Sequence, residues 1–316
     1  MSKRLTLQET GSMLAQASKI VLCCHVSPDG DTLGSALGLM HRLDAMGKSV
    51  TVFVDDDISK NFSFLPGIER CRRPQEGEKV VADLFVVIDA SSFDRVGIAG
   101  DVVDAPVLMN IDHHISNTEF ADYLYLDTQA AATGEIICDL FLTMGWAYDE
   151  KSAVCLYTAI STDCGSFRYS NTTSKTMQRA AQLLDYGVHP SDISDALDIK
   201  SRETVELLSK VLTTLTFDYE GRVAYITITN DLYNKEAQTD SFVSYPRYIE
   251  GVDVAIMFKA VEPDVTRVSM RSSKTDVSRV ALSFGGGGHL RAAGCTINAP
   301  VEDARRQLLN ELGKVL

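Results

Sequence analysis

The chain has 316 residues, which allows a sizeable core and makes two domains the natural expectation. Its composition, 45% hydrophobic and 23% charged, is that of a globular protein, while its formal net charge of -13 argues against binding to long nucleic acid, which needs many basic contacts to phosphates. The sequence has neither an apolar run long enough for a membrane span nor a secretory signal, so we expect a cytoplasmic protein without membrane association.

A parallel sheet is the first architecture that the chain predicts. The apolar run KIVLCC at 19–24 indicates a strand, and apolar residues at helical spacing over 33–43 indicate a helix after a polar loop. Further apolar runs at 50–56, 82–91 and 105–114 are too continuous for half-exposed strands, and acidic residues or histidine stand near the end of each. Such runs are typical of a parallel sheet buried on both faces, which places ligands at the carboxyl ends of its strands.

Two helices are expected after these strands. Residues 133–144 predict a helix whose capping box starts at Thr133 but is imperfect, because Ile136 takes the place of the usual Glu or Gln. Residues 152–160 predict the second helix. This helix leads into a polar segment that contains another aspartate.

A second domain is indicated by a change of pattern. The strand rhythm is lost over 186–202, where we place a junction. Beyond it, apolar or alternating runs at 223–229, 252–261 and 265–273 predict strands, and residues 302–316 predict an amphipathic helix. Together they indicate a smaller α/β domain.

Acidic and histidine side chains recur at the ends of the predicted elements. The candidate site residues are His25, Asp29, Asp31, Asp89, Asp112, His113, His114 and Asp163. Gly30 is expected to let the backbone turn sharply between the two carboxylates of the first loop. A single aspartate after a strand is more often a turn residue or a helix cap, so the indication comes from the joint pattern. Histidine and carboxylates without thiolates suit manganese or magnesium better than structural zinc.

Four short segments resemble, in order and in spacing, the motifs of the DHH phosphoesterases. They are HVSPDGDT, VIDAS, IDHH and STDCGSF, and Asp112, His113 and His114 are the residues for which that family is named. The segment FGGGGHLRAAG at 284–294 is similar to the substrate-binding domain associated with the family. The resemblance covers nearly the whole chain. It implies an α/β protein with a parallel-sheet N-terminal catalytic domain and a smaller C-terminal α/β domain.

The resemblance also implies a domain layout in three parts. Residues 1–188 would form the DHH catalytic domain, 189–214 a helical linker and 215–316 the DHH-associated substrate-binding domain. The active site is expected in the cleft between the two domains. A homodimer is implied as well.

The same resemblance implies a role for each candidate residue. His25 and Asp29 would bind one divalent ion, Asp31, His113 and Asp163 would bind a second, and Asp89 would bridge the two. The ions are expected to be Mn²⁺, with Mg²⁺ or Co²⁺ as alternatives, and together they can activate water and neutralise a phosphoryl group. His114 would contact a phosphate oxygen or protonate the leaving alcohol, while Asp112 would orient His113.

A basic segment in the second domain suits an anionic substrate. Over 267–291 the acidic balance of the chain reverses, with five basic residues against one aspartate. The glycines at 285–288 leave the backbone without side chains, so that its amides can approach phosphate oxygens closely. A glycine run alone is more often a flexible turn, but the neighbouring His289 and Arg271, with its bidentate fork, favour phosphate recognition.

Within the DHH family, a two-domain chain with a GGGGH segment most resembles the NrnA-type oligoribonucleases. This resemblance implies hydrolysis of di- to pentaribonucleotides to nucleoside 5'-monophosphates, and dephosphorylation of adenosine 3',5'-bisphosphate (pAp) to AMP. The residues that would hold the terminal nucleotide or phosphate are Arg271, Ser272, Gly287, Gly288 and His289. Short substrates also fit the negative net charge, since a few contacts suffice for them.

Other functions stay open at this point. The same motif set resembles that of inorganic pyrophosphatases and of phosphodiesterases for cyclic or linear dinucleotides. A nucleotide-binding regulator that has lost the chemistry is a further alternative, although all six expected metal ligands are present. Assays of hydrolysis with each substrate distinguish these functions.

Overall fold

The structure of the protein, a computed structural model, describes residues 2–234, 237 and 239–316. Among these residues no helix combines the length and the apolar character that crossing a bilayer requires. The chain divides into two compact units at the boundary between Ile199 and Lys200. This boundary falls inside the linker that the sequence predicts, and the limits of that linker stay predictions.

The first unit is built around a parallel sheet. Its strands are β1 (Lys3–Arg4), β2 (Lys19–Cys24), β3 (Ser49–Phe53), β4 (Cys71–Arg72), β5 (Val80–Val81), β6 (Leu84–Ile88), β7 (Val103–Asp104), β8 (Leu108–Asp112) and β9 (Tyr123–Leu126). Its helices are α1 (Leu7–Gln16), α2 (Gly30–Ala45), α3 (Ala99–Val102), α4 (Thr133–Met144), α5 (Glu150–Asp163), α6 (Ser174–Leu184) and α7 (Pro190–Asp198). The main sheet has the order β1-β9-β8-β6-β2-β3-β4 with every neighbouring pair parallel, and β5 and β7 form a separate pair. The predicted parallel sheet is confirmed.

The central strands are buried on both faces, as their continuous apolar sequence predicts. In β2, Ile20 and Leu22 lie in one hydrophobic core, which also contains residues of α2, α4 and α5, whereas Val21 and Cys23 lie in a second core on the opposite face. Because side chains alternate between the two faces of a strand, a strand covered on both sides has no exposed position in its middle. In β2, β6 and β8 the polar residues therefore lie at the strand ends, except for Asn110 in the middle of β8, whose amide donates to the carbonyl oxygens of Val87 and Ala90.

Two glycines of α2 let this helix approach α5 closely. A Cβ atom on Gly34 would lie 2.3 Å from the carbonyl oxygen of Cys155, and one on Gly30 would lie 2.4 Å from Thr162 Oγ1. Gly30 is the first residue of α2, so the glycine there serves this packing and the expectation of a sharp turn was wrong. The close approach brings the beginning of α2 beside the end of α5, where Asp163 is the last helical residue.

The second unit is a smaller α/β unit with a mixed sheet. Its helices are α8 (Arg202–Leu212), α9 (Ser244–Arg247), α10 (Val277–Leu282) and α11 (Val301–Leu312). Its strands are β10 (Thr216–Asp218), β11 (Val223–Ile228), β12 (Val254–Glu262), β13 (Val265–Ser272), β14 (Gly287–His289) and β15 (Ala292–Ile297). The order is β10-β11-β12-β13-β15-β14, in which β11 and β12 are parallel and the other neighbours antiparallel. The predicted fold class is confirmed, and the location of the active site in a cleft stays a prediction.

Candidate metal centre

Three neighbouring strands of the first unit end in candidate site residues. His25 directly follows β2, Asp89 directly follows β6, and Asp112 is the last residue of β8. Since β2, β6 and β8 are adjacent and parallel, their carboxyl ends meet at one edge of the sheet. All three side chains are buried, so the fold places titratable groups together in its interior.

The first cluster, called site A, consists of His25, Asp29 and Asp89. His25 Nε2 lies 3.6 Å from Asp29 Oδ1 and 3.5 Å from Asp89 Oδ2. Asp29 is also the N-cap of α2, where its Oδ1 accepts hydrogen bonds from the amides of Asp31 and Thr32. Asp29 is therefore a helix cap, and its role as a metal ligand stays a prediction.

The second cluster, called site B, consists of Asp31, Asp89, His113 and Asp163. His113 Nε2 lies 3.8 Å from Asp31 Oδ2, 3.6 Å from Asp89 Oδ1 and 3.6 Å from Asp163 Oδ2. Asp89 thus presents one oxygen to each cluster. Its backbone has a φ of 61°, a left-handed conformation that is uncommon for a residue other than glycine.

The ring nitrogens that face away from the clusters have backbone partners. His113 Nδ1 lies 3.1 Å from the carbonyl oxygen of Ala130, and His25 Nδ1 lies 2.8 Å from that of Val26. His25 Nδ1 also lies 2.8 Å from Arg95 Nη2, which is a donor, so its two contacts fix no single tautomer. At His113 the carbonyl oxygen only accepts, so Nδ1 carries the hydrogen and Nε2 keeps a lone pair. This is the tautomer in which Nε2 can bind a metal ion.

The electrostatics of both clusters favour a cation. Burial raises the pKa of Asp31, and the nearby carboxylates of Asp89 and Asp163 raise it further. Burial also raises the pKa of Asp163, to about 7. In site A, burial by itself would lower the pKa of His25, but the carboxylates of Asp29 and Asp89 outweigh burial and raise that pKa to about 10. Two divalent ions would neutralise the four aspartates, so the donor set fits a pair of metal ions.

Asp112 and His114 form a separate pair beside site B. Asp112 Oδ1 accepts a hydrogen bond of 2.7 Å from His114 Nδ1, and Asn117 Nδ2 donates to the other oxygen at 2.6 Å. Burial would lower the pKa of His114, but the bond to Asp112 outweighs it and raises the pKa to about 9. The expectation that Asp112 orients His113 was wrong, because the ring of His113 is turned toward Ala130 and only its backbone amide reaches Asp112 among the contacts described.

In the second unit, Arg271 and His289 lie on strands separated by β15. Arg271 of β13 pairs with Ala292 of β15, and Ala292 pairs on its other side with His289 of β14. Ser272 differs from these residues because it is buried and its hydroxyl donates to the carbonyl oxygen of Thr275. Its predicted contact with substrate is corrected to support of the loop that follows β13.

The glycines just before and within β14 differ in whether the packing of the unit requires them. A Cβ atom on Gly286 would lie 2.2 Å from the carbonyl oxygen of Gly294, and Gly288 combines a φ of 133° with a Cβ position 2.5 Å from the carbonyl oxygen of Ala292. At Gly287 no described atom lies within 4 Å of the Cβ position. The packing of the unit therefore requires Gly286 and Gly288, whereas it leaves room for a side chain at Gly287.

The structure adds two residues, Thr133 and Arg95, that the sequence does not predict as part of the site. Thr133 is the first residue of α4 and not its N-cap, and its hydroxyl donates to Asp89 Oδ1 at 2.8 Å. Arg95 Nη2 lies 2.8 Å from His25 Nδ1. The imperfect capping box at Thr133 was the one available signal, since it indicated a helix start that lacks a local partner.

Comparison with known proteins gives consistent matches. Residues 19–160 match the N-terminal domain of the DHH family, and residues 220–316 match the DHHA1 domain. The bifunctional oligoribonuclease and PAP phosphatase NrnA of Thermus thermophilus is 35% identical over 282 residues, which cover 88% of this chain and 84% of that protein. The protein of the same name from Bacillus subtilis is 29% identical, over 88% of this chain and 89% of that protein.

A solved structure matches nearly the full length. The crystal structure of an exopolyphosphatase-related protein from Bacteroides fragilis has a TM-score of 0.88 and 26% sequence identity. The match covers 98% of this chain and 95% of that chain.

Proposed function

The chain belongs to the DHH family, and on that premise we propose that it is a two-metal phosphoesterase acting on short RNA. Its expected reactions are the hydrolysis of di- to pentaribonucleotides to nucleoside 5'-monophosphates and the dephosphorylation of pAp to AMP. The names of the Thermus thermophilus and Bacillus subtilis relatives, oligoribonuclease and PAP phosphatase, support these substrates.

One observation carries the proposal of a paired metal centre. The two oxygens of Asp89 face the Nε2 atoms of two different histidines, at 3.5 Å for His25 and 3.6 Å for His113. A carboxylate that only caps a helix or pairs with one histidine does not need to place its two oxygens next to two different histidines. We therefore assign one ion to site A and one to site B.

Each cluster has the donors that a divalent ion needs. Site A offers one imidazole and two carboxylates, and site B offers one imidazole and three carboxylates. The bound ions would supply the positive charge that draws a phosphodiester toward these aspartates and would activate the attacking water. Imidazole and carboxylate donors favour manganese, with magnesium and cobalt as the next choices.

His114 is proposed as the proton donor to the leaving alcohol. Its Nδ1–H is held by Asp112, and Asn117 holds the other oxygen of that carboxylate. The ring is thereby fixed in orientation, and its Nε2 remains as the nitrogen that can give a proton to the departing ribose oxygen.

The second unit is proposed to hold a phosphate of the substrate. Arg271 can bind phosphate oxygens through its planar fork, and His289 follows the glycines on the edge strand β14. The amides of Gly287 and Gly288 are candidates for further hydrogen bonds to phosphate, because neither residue carries a side chain. These few contacts suffice to hold a short substrate. The net charge of -13 disfavours binding of long RNA.

The test is manganese-dependent hydrolysis measured on four substrates in parallel: an RNA dinucleotide, pAp, pyrophosphate and a cyclic dinucleotide. The variant is Asp89→Asn, which keeps the shape of the side chain and removes its charge. The matched control is Asp83→Asn at the other end of β6, where the carboxylate accepts hydrogen bonds from the amides of Ser18 and Lys19. We expect hydrolysis of the dinucleotide and of pAp by the wild type and by Asp83→Asn, and loss of both in Asp89→Asn.

Other outcomes point to the alternatives. Preferential hydrolysis of pyrophosphate or of the cyclic dinucleotide would replace the proposed substrates but keep the metal centre. Tight binding of AMP without hydrolysis of any substrate would indicate a regulator. The predicted homodimer is tested separately by light scattering of the purified protein.

A further inference from the structure

Helix α4 begins without a cap of its own. Its N-cap residue is Ala132, whose methyl side chain cannot accept a hydrogen bond. The first amides of the helix donate instead to Asp31 of α2, from Thr133 N to Oδ2 at 2.7 Å and from Gly134 N to Oδ1 at 2.9 Å. Asp31 therefore caps a distant helix, and the positive end of α4 holds the carboxylate in place.

The side chain of Thr133 reaches a second aspartate. Its Oγ1 donates at 2.8 Å to Asp89 Oδ1, the same oxygen that faces His113 in site B. Thr133 is fully buried, so its hydroxyl does not exchange this partner for bulk water. One residue thus contacts Asp31 through its amide and Asp89 through its hydroxyl.

We propose that Thr133 is a positioning residue that fixes the rotation of the Asp89 carboxylate and thereby links the two halves of the metal centre. The rotation of a carboxylate about its last bond is soft, and a hydroxyl that donates to one oxygen determines where both oxygens point. When Oδ1 is held toward site B, Oδ2 is held toward site A. This inference rests on the proposed two-metal function.

Ser35 provides the matched control. Its Oγ donates to Asp31 Oδ1 at 3.0 Å, so it also holds an aspartate of site B by a hydroxyl. When Ser35 is changed, Asp31 still accepts the two hydrogen bonds from the amides of α4, and Asp89 still accepts the one from Thr133. Loss of the Ser35 hydroxyl should therefore weaken site B slightly and leave the link between the two sites intact.

The test uses metal-free full-length protein and manganese alone. Titration calorimetry gives the number and affinity of the bound ions, and electron paramagnetic resonance distinguishes a spin-coupled manganese pair from isolated ions. For Thr133→Val we expect manganese affinity to fall by about 10- to 100-fold, which is typical when a partner of a metal ligand is lost, and the coupled signal to give way to that of isolated ions. Thr133→Ser should restore both, and Ser35→Ala should keep the coupled signal.

The outcomes separate the inference from the function on which it rests. If Thr133→Val binds two ions with wild-type affinity and an unchanged coupled signal, the inference is wrong and the proposed function stands. If the wild type binds no pair of ions, the proposed function itself fails. Should Thr133→Val not fold, as judged by circular dichroism, Thr133→Ala takes its place, because it retains the amide bond to Asp31 and removes the same hydroxyl.

Discussion

The metal centre of the first unit and the glycine segment of the second differ in how firmly the fold holds them. His25, Asp89 and His113 are buried at the ends of strands that are covered on both faces. Gly287–His289, in contrast, form an exposed strand at the edge of the mixed sheet. The difference indicates that the groups proposed to react are held by buried elements, whereas the glycines proposed to receive a phosphate lie on an exposed edge strand.

Removing His114 should give the largest effect on activity, since its ring lies beside site B and is held there by Asp112. For His114→Ala we expect kcat on an RNA dinucleotide to fall by about 10²- to 10⁴-fold, the usual contribution of a general acid. A nitrophenyl phosphodiester, whose leaving group needs no proton, should lose much less. The measurement is steady-state hydrolysis of both substrates, with His189→Ala at the exposed start of α7 as the control. Equal losses on the two substrates would contradict the proton transfer.

Removing Arg271 should act on binding, because Arg271 belongs to the residues of the second unit that we propose to hold a phosphate. A charge-assisted hydrogen bond contributes about 1.5–3 kcal/mol, so Arg271→Ala should raise KM by roughly 10- to 100-fold with little change in kcat. Arg271→Lys should recover only part of this loss, because lysine lacks the planar fork. Arg267→Ala, at an exposed position on the same strand, serves as the control. A fall in kcat at unchanged KM would place Arg271 with the reacting groups instead.

Two neighbouring glycines of β14 separate a binding effect from a folding effect. Gly288→Ala should lower the free energy of unfolding by about 1–3 kcal/mol, because alanine is strained at a φ of 133° and its methyl meets the carbonyl of Ala292. Gly287→Ala should leave the melting temperature unchanged and raise KM, since its new methyl lies where we expect phosphate. Thermal melts and steady-state kinetics on both variants check this. A destabilised Gly287→Ala protein with normal KM would contradict the assignment.

The smallest expected effect concerns the loop that follows Arg271. Asp253 accepts hydrogen bonds from Ser273 Oγ, Lys274 N and Thr275 Oγ1, and it thereby fixes this loop. Burial by itself would raise the pKa of Asp253, but the hydrogen bonds, led by that from Thr275, lower it below the ordinary value of 3.8. The stabilisation is therefore present at neutral pH and is lost as the pH falls below about 4 through the lowered pKa.

Chemical unfolding between pH 3 and pH 7 measures this contribution. The wild type should lose stability toward the acid end more steeply than Asp253→Asn, whose amide does not titrate in this range. Parallel curves for the two proteins would show that Asp253 contributes nothing to the pH dependence.

The parts of this fold that local pattern determines were predictable from the sequence. Continuous apolar runs indicated the parallel strands, and polar residues at their ends indicated which edge would carry the chemistry. The same rule predicts that His25, Asp89 and Asp112 lie together, because carboxyl ends of parallel strands meet at one edge.

The partners of individual side chains were not predictable in the same way. Asp112 bonds to His114 and not to the ring of His113, and Ser272 turns its hydroxyl into its own loop. The bond from Thr133 to Asp89 joins residues that are far apart in the chain. The hydrogen-bond partner of a side chain depends on how the helices and strands pack against each other. Neither residue spacing nor composition predicts this packing.

The glycines of α2 have a consequence for how the protein tolerates mutation. Asp31 lies in the first turn of α2, whose Gly34 packs closely against α5, and Asp163 is the last residue of α5. Any side chain added at Gly34 would push the helices apart and separate the two aspartates, although Gly34 is not one of the residues proposed to bind metal or substrate. A survey of inactive variants should therefore find substitutions at the contact between α2 and α5 as well as at the proposed metal ligands.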